Sequence, residues 1–223
     1  VSSGPLALVG GDEFAAACTD FDRVLLEQSG ADEVLVLPTG AAYEHPQRLV
    51  DRAVEHFKGL GVPARGLMVV GRPDAQSAEH AAAVEGARFV YIVGGSALHL
   101  RSVLKESAVW EALVRAWDAG AAVAGSSAGA MVLGDPMVDP RGGAFTLGLG
   151  LVEQLAAIPH FDEWSPEKAH RVFQLAPAGV PVVSIHTQTA LLRAPDGAWS
   201  TSGAGKVEVY VDGKKAALSA LPG

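Results

Sequence analysis

The chain has 223 residues, 49% hydrophobic and 19% charged, enough for a substantial core in one domain over residues 1–223 and too apolar for disorder. Its net charge of −8, with no run of Lys or Arg, argues against nucleic-acid partners, whose phosphates need clustered cations. A single cysteine, Cys18, excludes an intramolecular disulfide. Neither a leader pattern nor an apolar run of bilayer length is seen, so a cytoplasmic location with no membrane partner is expected.

The first predicted strand covers residues 5–9 and runs into Gly10-Gly11-Asp12-Glu13-Phe14, the letters by which diguanylate cyclases are named. A cyclase carries them on a hairpin, behind a stretch that supplies metal and nucleotide contacts. Here nine residues precede them and a helical pattern over 18–28 follows. They are therefore read as the turn leaving strand one, with Asp12 and Glu13 near a helix start. Further Val- and Leu-rich strands are predicted at 33–37, 66–70, 89–93 and 121–124, with the little polar alternation of strands covered on both faces. Helices are predicted at 45–59, 75–85 and 97–119, with Asp74 and Ser96 as N-caps and Gly30 and Gly120 as stops. This alternation predicts a doubly wound, three-layer α/β sandwich around a mostly parallel sheet, with ligands beyond the C-terminal strand ends. After a Gly-rich passage (141–150) and a helix at 166–175, strands are predicted at 180–185, 190–193, 198–202 and 207–211. Turns at Asp196-Gly197 and Asp212-Gly213 make these an antiparallel C-terminal meander, completing the sheet or lying along its edge.

Chemistry concentrates at two strand-to-helix junctions. Gly125-Ser126-Ser127-Ala128-Gly129 follows an apolar strand and opens a small-residue helix, the context of a nucleophile elbow. A sharp turn there strains the nucleophile's backbone and lifts Ser127 Oγ over the sheet edge. The Ala128 N–H then faces the oxyanion, which the helix dipole favours. The second junction, Gly94-Gly95-Ser96, lies after the preceding strand and offers Gly95 as a second oxyanion donor, with Ser96 capping the next helix. A small-residue turn that only packs helix on strand has the same composition. Of seven histidines, His56, His80 and His170 fall on helical patterns and His99 in a helix start, whereas His160 follows the apolar run 155–158, between Pro159 and Phe161. That is the placement of a positioned general base.

Gly94-Gly95-Ser96, the run from Gly125 to Asp135 and Ile158-Pro159-His160-Phe161 occur in the order and spacing of a known group. The chain resembles the serine peptidases that include dipeptidase E and cyanophycinase, which share the class I glutamine amidotransferase fold with serine at the elbow. The resemblance runs from the strand at Pro5 to about Leu192. It implies Ser127 as nucleophile, His160 as base and an aspartate between them: Asp135 first, Asp139 second, Glu153 a distant third. It also implies a substrate carboxylate held by Arg171, with Ser96 and Asp139 nearby, and a small peptide substrate, no cofactor or metal, and a homodimer by analogy alone. Cyanophycinase-like relatives often carry an acidic pair where this chain has His186-Thr187, which sets cyanophycin-like substrates in question. A non-catalytic binding protein on the same fold and a small-ester hydrolase are the competing readings.

Overall fold

The computed structural model describes residues 3–223. Strands β1 (Leu6–Val9), β2 (Val34–Leu37), β3 (Ala64–Gly66), β4 (Phe89–Ile92) and β5 (Ala122–Ser126) are parallel and lie in the order β1-β5-β4-β2-β3. Five short strands follow: β6 (Gly134–Asp135), β7 (Met137–Val138), β8 (Phe145–Thr146), β9 (Val152–Glu153) and β10 (Ala156–Ile158). The last five are β11 (Val182–Ile185), β12 (Thr189–Arg193), β13 (Trp199–Gly203), β14 (Val207–Val211) and β15 (Lys214–Ala216). The expected meander is split between two sheets. β12 and β13 extend the main sheet antiparallel beyond β1, whereas β11, β14 and β15 join β10 in a second, four-stranded sheet.

Helices α1 (Thr19–Ser29) and α2 (Pro46–Gly59) cover one face of the main sheet. The other face is covered by α4 (Ala78–Glu85), α5 (Ala97–Leu104), α6 (Ala108–Asp118) and α7 (Ala128–Leu133), with a one-turn α3 (Arg72–Ala75) before them. Alternate strand residues serve the two cores, as the two-residue period of a strand requires. Ala7, Val9, Val36, Phe89, Tyr91 and Ala124 pack under α1 and α2, while Leu6, Leu8, Leu35, Val90, Ile92 and Val123 pack under α4 to α7. A third cluster, with Val138, Ile158 and Val182, sits beneath α8 (Pro166–Leu175). No helix among the described residues is long and apolar enough to cross a membrane.

Two predicted elements are corrected. The helix predicted over 97–119 is two helices, broken at Glu106, which takes φ +52°, and restarted at buried Ser107, whose Oγ accepts the Trp110 N–H. Its apolar positions continue across the break, so periodicity alone does not register it. The strand predicted at 66–70 pairs only through Ala64–Gly66, and Asp74 is no N-cap. From within α3 its carboxylate accepts the N–H groups of Val70 and Gly71, at 3.0 and 2.9 Å, and draws the chain away from the sheet edge. Ser96 and Gly30 do cap α5 and α1 as expected, the latter in a left-handed conformation.

One buried pair links α1 to α2. Asp22, fully buried, lies 2.8 Å from His56 Nε2. Burial pushes its carboxyl up to about 6; the His56 bond opposes the rise and the nearby Glu13 adds to it. A folded-state pKa above the ordinary 3.8 means that the native state holds the proton more tightly. The site's contribution is therefore fully present below that value and is lost as pH rises through about 6. Asp22→Asn, which cannot ionise, is expected to gain stability relative to the parent as urea melts are moved from pH 4 to pH 7. A difference that stays constant over that range contradicts the assignment.

Candidate active site

Strands β1 and β5 are neighbours, yet β1 leads to α1 on one face of the sheet and β5 to α7 on the other. The chain therefore opens a crevice beyond their C-terminal ends, where open α/β sheets hold their ligands. Ser127 sits at that point with φ +52° and ψ −111°, a conformation few non-glycine residues adopt and one that stores about 1–3 kcal/mol of strain. Its N–H donates to the Val9 carbonyl at 2.9 Å. Gly129 lets α7 follow so closely: a Cβ there would lie 2.5 Å from the Ile92 carbonyl oxygen, a backbone atom that cannot yield. The turn has the geometry expected of an elbow.

His160 is also in a left-handed conformation, at φ +51° and ψ +34°, just after β10. Its Nε2 lies 3.0 Å from Ser127 Oγ. Three of the other histidines are engaged elsewhere: His56 with Asp22, His80 Nδ1 with the Asp74 carbonyl and His99 Nε2 with the Val70 carbonyl. Ala128 begins α7, so its N–H is one that a helix leaves unpaired. Gly95 lies across the same cleft, and Ser96 beside it accepts the His99 N–H while also lining the cleft.

The acid assignments do not come together. Asp135 Oδ1 accepts the Gly148 N–H at 2.8 Å, which ties it to the passage after β8 and leaves it off the imidazole. Asp139 lines the cleft but is bound by Arg141, Nη2 to Oδ2 at 2.6 Å, which holds its carboxyl down at about 2. Glu153, on β9, makes no contact with His160 Nδ1. That nitrogen is buried and has no hydrogen-bond partner. The nearest carboxylate is that of Glu163, three residues on, with Oε1 3.8 Å away. Arg171 lies outside the cleft holding Ser127, in an adjoining groove with Arg141, Lys168 and Glu167.

The cleft has a volume of about 620 Å³ and is lined by Ser127, His160, Glu163, Trp164, Lys168, Asp139 and Arg141, among others. Lys168 Nζ stands 3.7 Å over the Trp164 ring. Sequence reasoning overlooked Glu163, Arg141, Trp164 and Lys168. Only their closeness to His160 and Asp139 in the chain pointed to them. At His186-Thr187, Thr187 donates its N–H and Oγ1–H to the Asp162 carboxylate at 2.8 and 2.7 Å. A carboxylate two residues past His160 is thus held against Thr187, a position where the resemblance leads an acid to be expected.

On this α/β sandwich a serine on a strained strand-to-helix turn is thus bonded to a histidine above a cleft at the sheet's C-terminal edge, an arrangement suited to hydrolysis by a serine nucleophile. Residues 6–199 match peptidase family S51, and the chain belongs to that family of serine-type peptidases. The cyanophycinase of Trichormus variabilis is 26% identical over 165 residues, 69% of this chain and 55% of that protein, so the chain spans about half the length of the curated relatives it matches. The crystal structure of a peptidase from an acI-B1 Actinobacterium superposes with a TM-score of 0.86 at 28% identity, covering 96% of this chain and 93% of that one. A putative peptidase E from Listeria monocytogenes, at 17% identity and a TM-score of 0.70 over 91% of this chain and all of that one, shares the fold.

Proposed function

We propose that this chain hydrolyses a small peptide or amide through an acyl-enzyme on Ser127. The observation that carries the reading is the 3.0 Å contact between Ser127 Oγ and His160 Nε2 at a strained elbow. Ser127 Oγ attacks the substrate carbonyl carbon as its proton passes to Nε2. The carbonyl oxygen becomes the oxyanion, received by the N–H groups of Gly95 and Ala128. The C–N bond then breaks, the leaving amine takes the proton from Nε2, and water repeats the sequence to release the acid and free the serine. Glu163 is the acid for this cycle: moving its carboxylate about 1 Å toward Nδ1 makes a charge-assisted hydrogen bond to the imidazolium. Substrate contacts come from Ser96 and from the Asp139–Arg141 pair on the cleft wall, with Lys168 beside them and Arg171 in the adjoining groove. No nucleotide or metal enters the scheme.

The test is covalent trapping. A fluorophosphonate is expected to modify Ser127 alone, located by peptide mapping, and members of a dipeptide panel are expected to be cleaved with release of both amino acids. Absence of label from folded protein would sink the reading. Cleavage of small esters with no dipeptide cleaved would move it to esterase chemistry.

A further inference from the structure

Two features outside this scheme converge on it: a buried carboxylate with no part in the chemistry, and the Gly-Gly-Asp-Glu-Phe segment that the function did not absorb. Glu13 is only 6% exposed, and its Oε2 accepts a hydrogen bond from Ser126 Oγ at 2.7 Å. Ser126 is itself fully buried and immediately precedes the nucleophile. It is the last residue of β5 and points to the α1 face, like Ala122 and Ala124 before it. The Glu13 carbonyl is held in turn by Arg52 Nη2 of α2 at 2.9 Å.

The same segment reaches the base. The Val9 carbonyl accepts the Ser127 N–H, and the next carbonyl, of Gly10, accepts the His160 N–H at 2.7 Å. Gly11, at φ +119°, lies flat against the imidazole; a Cβ there would fall 2.0 Å from Cε1 and 2.3 Å from Nε2 of His160. On the far side, Gly10 N–H and Gly11 C=O are bonded to Thr189 and Gln188, which anchors the segment to β12.

We propose that residues 9–13 form a brace that sets the Ser127–His160 spacing, with Glu13 as a positioning residue acting through Ser126. The proposal rests on the reading of Ser127 and His160 as nucleophile and base. A strained backbone persists only where its surroundings over-determine it. Here the Val9 carbonyl holds the nucleophile's own N–H and Glu13 holds the residue before it. Consecutive carbonyls of one strand end grip both halves of the reacting pair, so a shift of this segment changes the Oγ–Nε2 distance directly. Misplacement by about 1 Å costs a rate factor of about 100.

The experiment compares Glu13→Ala, Ser126→Ala, their double variant, Glu13→Gln and Gly11→Ala for the rate at which a fluorophosphonate labels Ser127. Glu13→Ala and Ser126→Ala are expected to slow labelling about 10- to 100-fold, to lower kcat with KM unchanged, and to be no worse combined than singly. Glu13→Gln, whose amide oxygen accepts the same bond, is expected to restore most of the rate. Gly11→Ala is expected to lose as much by displacing the imidazole. The His160 Hε1 resonance, assigned by its loss in His160→Gln, gives a second readout that needs no turnover. Its titration midpoint is expected to move in Gly11→Ala and Glu13→Ala and to return in Glu13→Gln. An unlabelled parent protein counts against the proposed activity alone, and the brace is then judged on this resonance. Ser126→Ala carries the comparison where Glu13→Ala does not fold. Parental labelling or an unmoved His160 titration in folded Glu13→Ala or Ser126→Ala would overturn the brace, as would additive losses in the double variant.

Discussion

Ser127→Ala is expected to abolish turnover, with kcat lowered about 10⁶-fold, while the protein keeps its fold and melts close to the parent temperature. The substitution removes one oxygen from a half-buried position and leaves the backbone bond to Val9 in place. Ser127→Gly is the more informative partner. Glycine adopts φ +52° and ψ −111° without the Cβ penalty, so the strain held at the elbow is released. A release of about 1–3 kcal/mol, less glycine's entropic cost of about 0.5–1 kcal/mol, is expected to raise Tm by a few degrees in a chain of this size. An inactive protein more stable than its parent shows strain retained for function. Differential scanning calorimetry with a dipeptidase assay checks both halves. A Ser127→Gly protein that melts lower than the parent removes the strain argument, and residual turnover in Ser127→Ala removes the nucleophile.

The second expected result concerns His160. His160→Gln keeps a polar side chain beside Ser127 but supplies no base. Nucleophile and base act as one unit, so the loss is expected to approach that of Ser127→Ala, and the double variant to be no worse than either single one. Glu163→Gln is expected to cost less, about 10- to 100-fold in kcat, because it removes one charged hydrogen-bond partner from a proton relay that otherwise stays intact. Its pH–rate profile carries the discrimination. Without the carboxylate, the imidazolium loses a stabilising charge and the acidic limb of kcat/KM moves to lower pH. Asp135→Asn, whose carboxylate is occupied by Gly148, is expected to leave that limb in place. If Asp135→Asn moves the limb and Glu163→Gln does not, the acid assignment reverts to Asp135.

The strained turn at Ser127 and the place of His160 at a strand end were legible because each depends on local chemistry. A glycine–serine turn between an apolar strand and a small-residue helix has few uses, and Pro159-His160-Phe161 fixes a ring at the end of a strand. Which carboxylate stands nearest the imidazole was not legible. Asp135 was favoured for its place between Ser127 and His160 in the chain, but its partner is decided by where Gly148 comes to lie, thirteen residues away. Glu163 was not weighed at all; it stands 3.8 Å from Nδ1 because the chain after His160, itself in a left-handed conformation, makes a short helical turn. Arg171 was named for its helix, yet the neighbouring Lys168 faces the cleft and Arg171 a groove beside it.

By itself the sequence determined the α/β alternation, the parallel central sheet, the sharp turn at Ser127 and the strand-end place of His160, since hydrophobic period, turn residues and caps act over a few positions. Only the tertiary structure decided how the C-terminal strands divide between two sheets, which carboxylate stands near His160, and what the Gly10–Glu13 segment does. Those outcomes depend on contacts between residues far apart in the chain. Glu13 meets Ser126 across 113 positions, and no local pattern encodes that meeting. The letters that spell a cyclase signature lie at a strand end whose carbonyls hold both Ser127 and His160, and packing alone gave them that place.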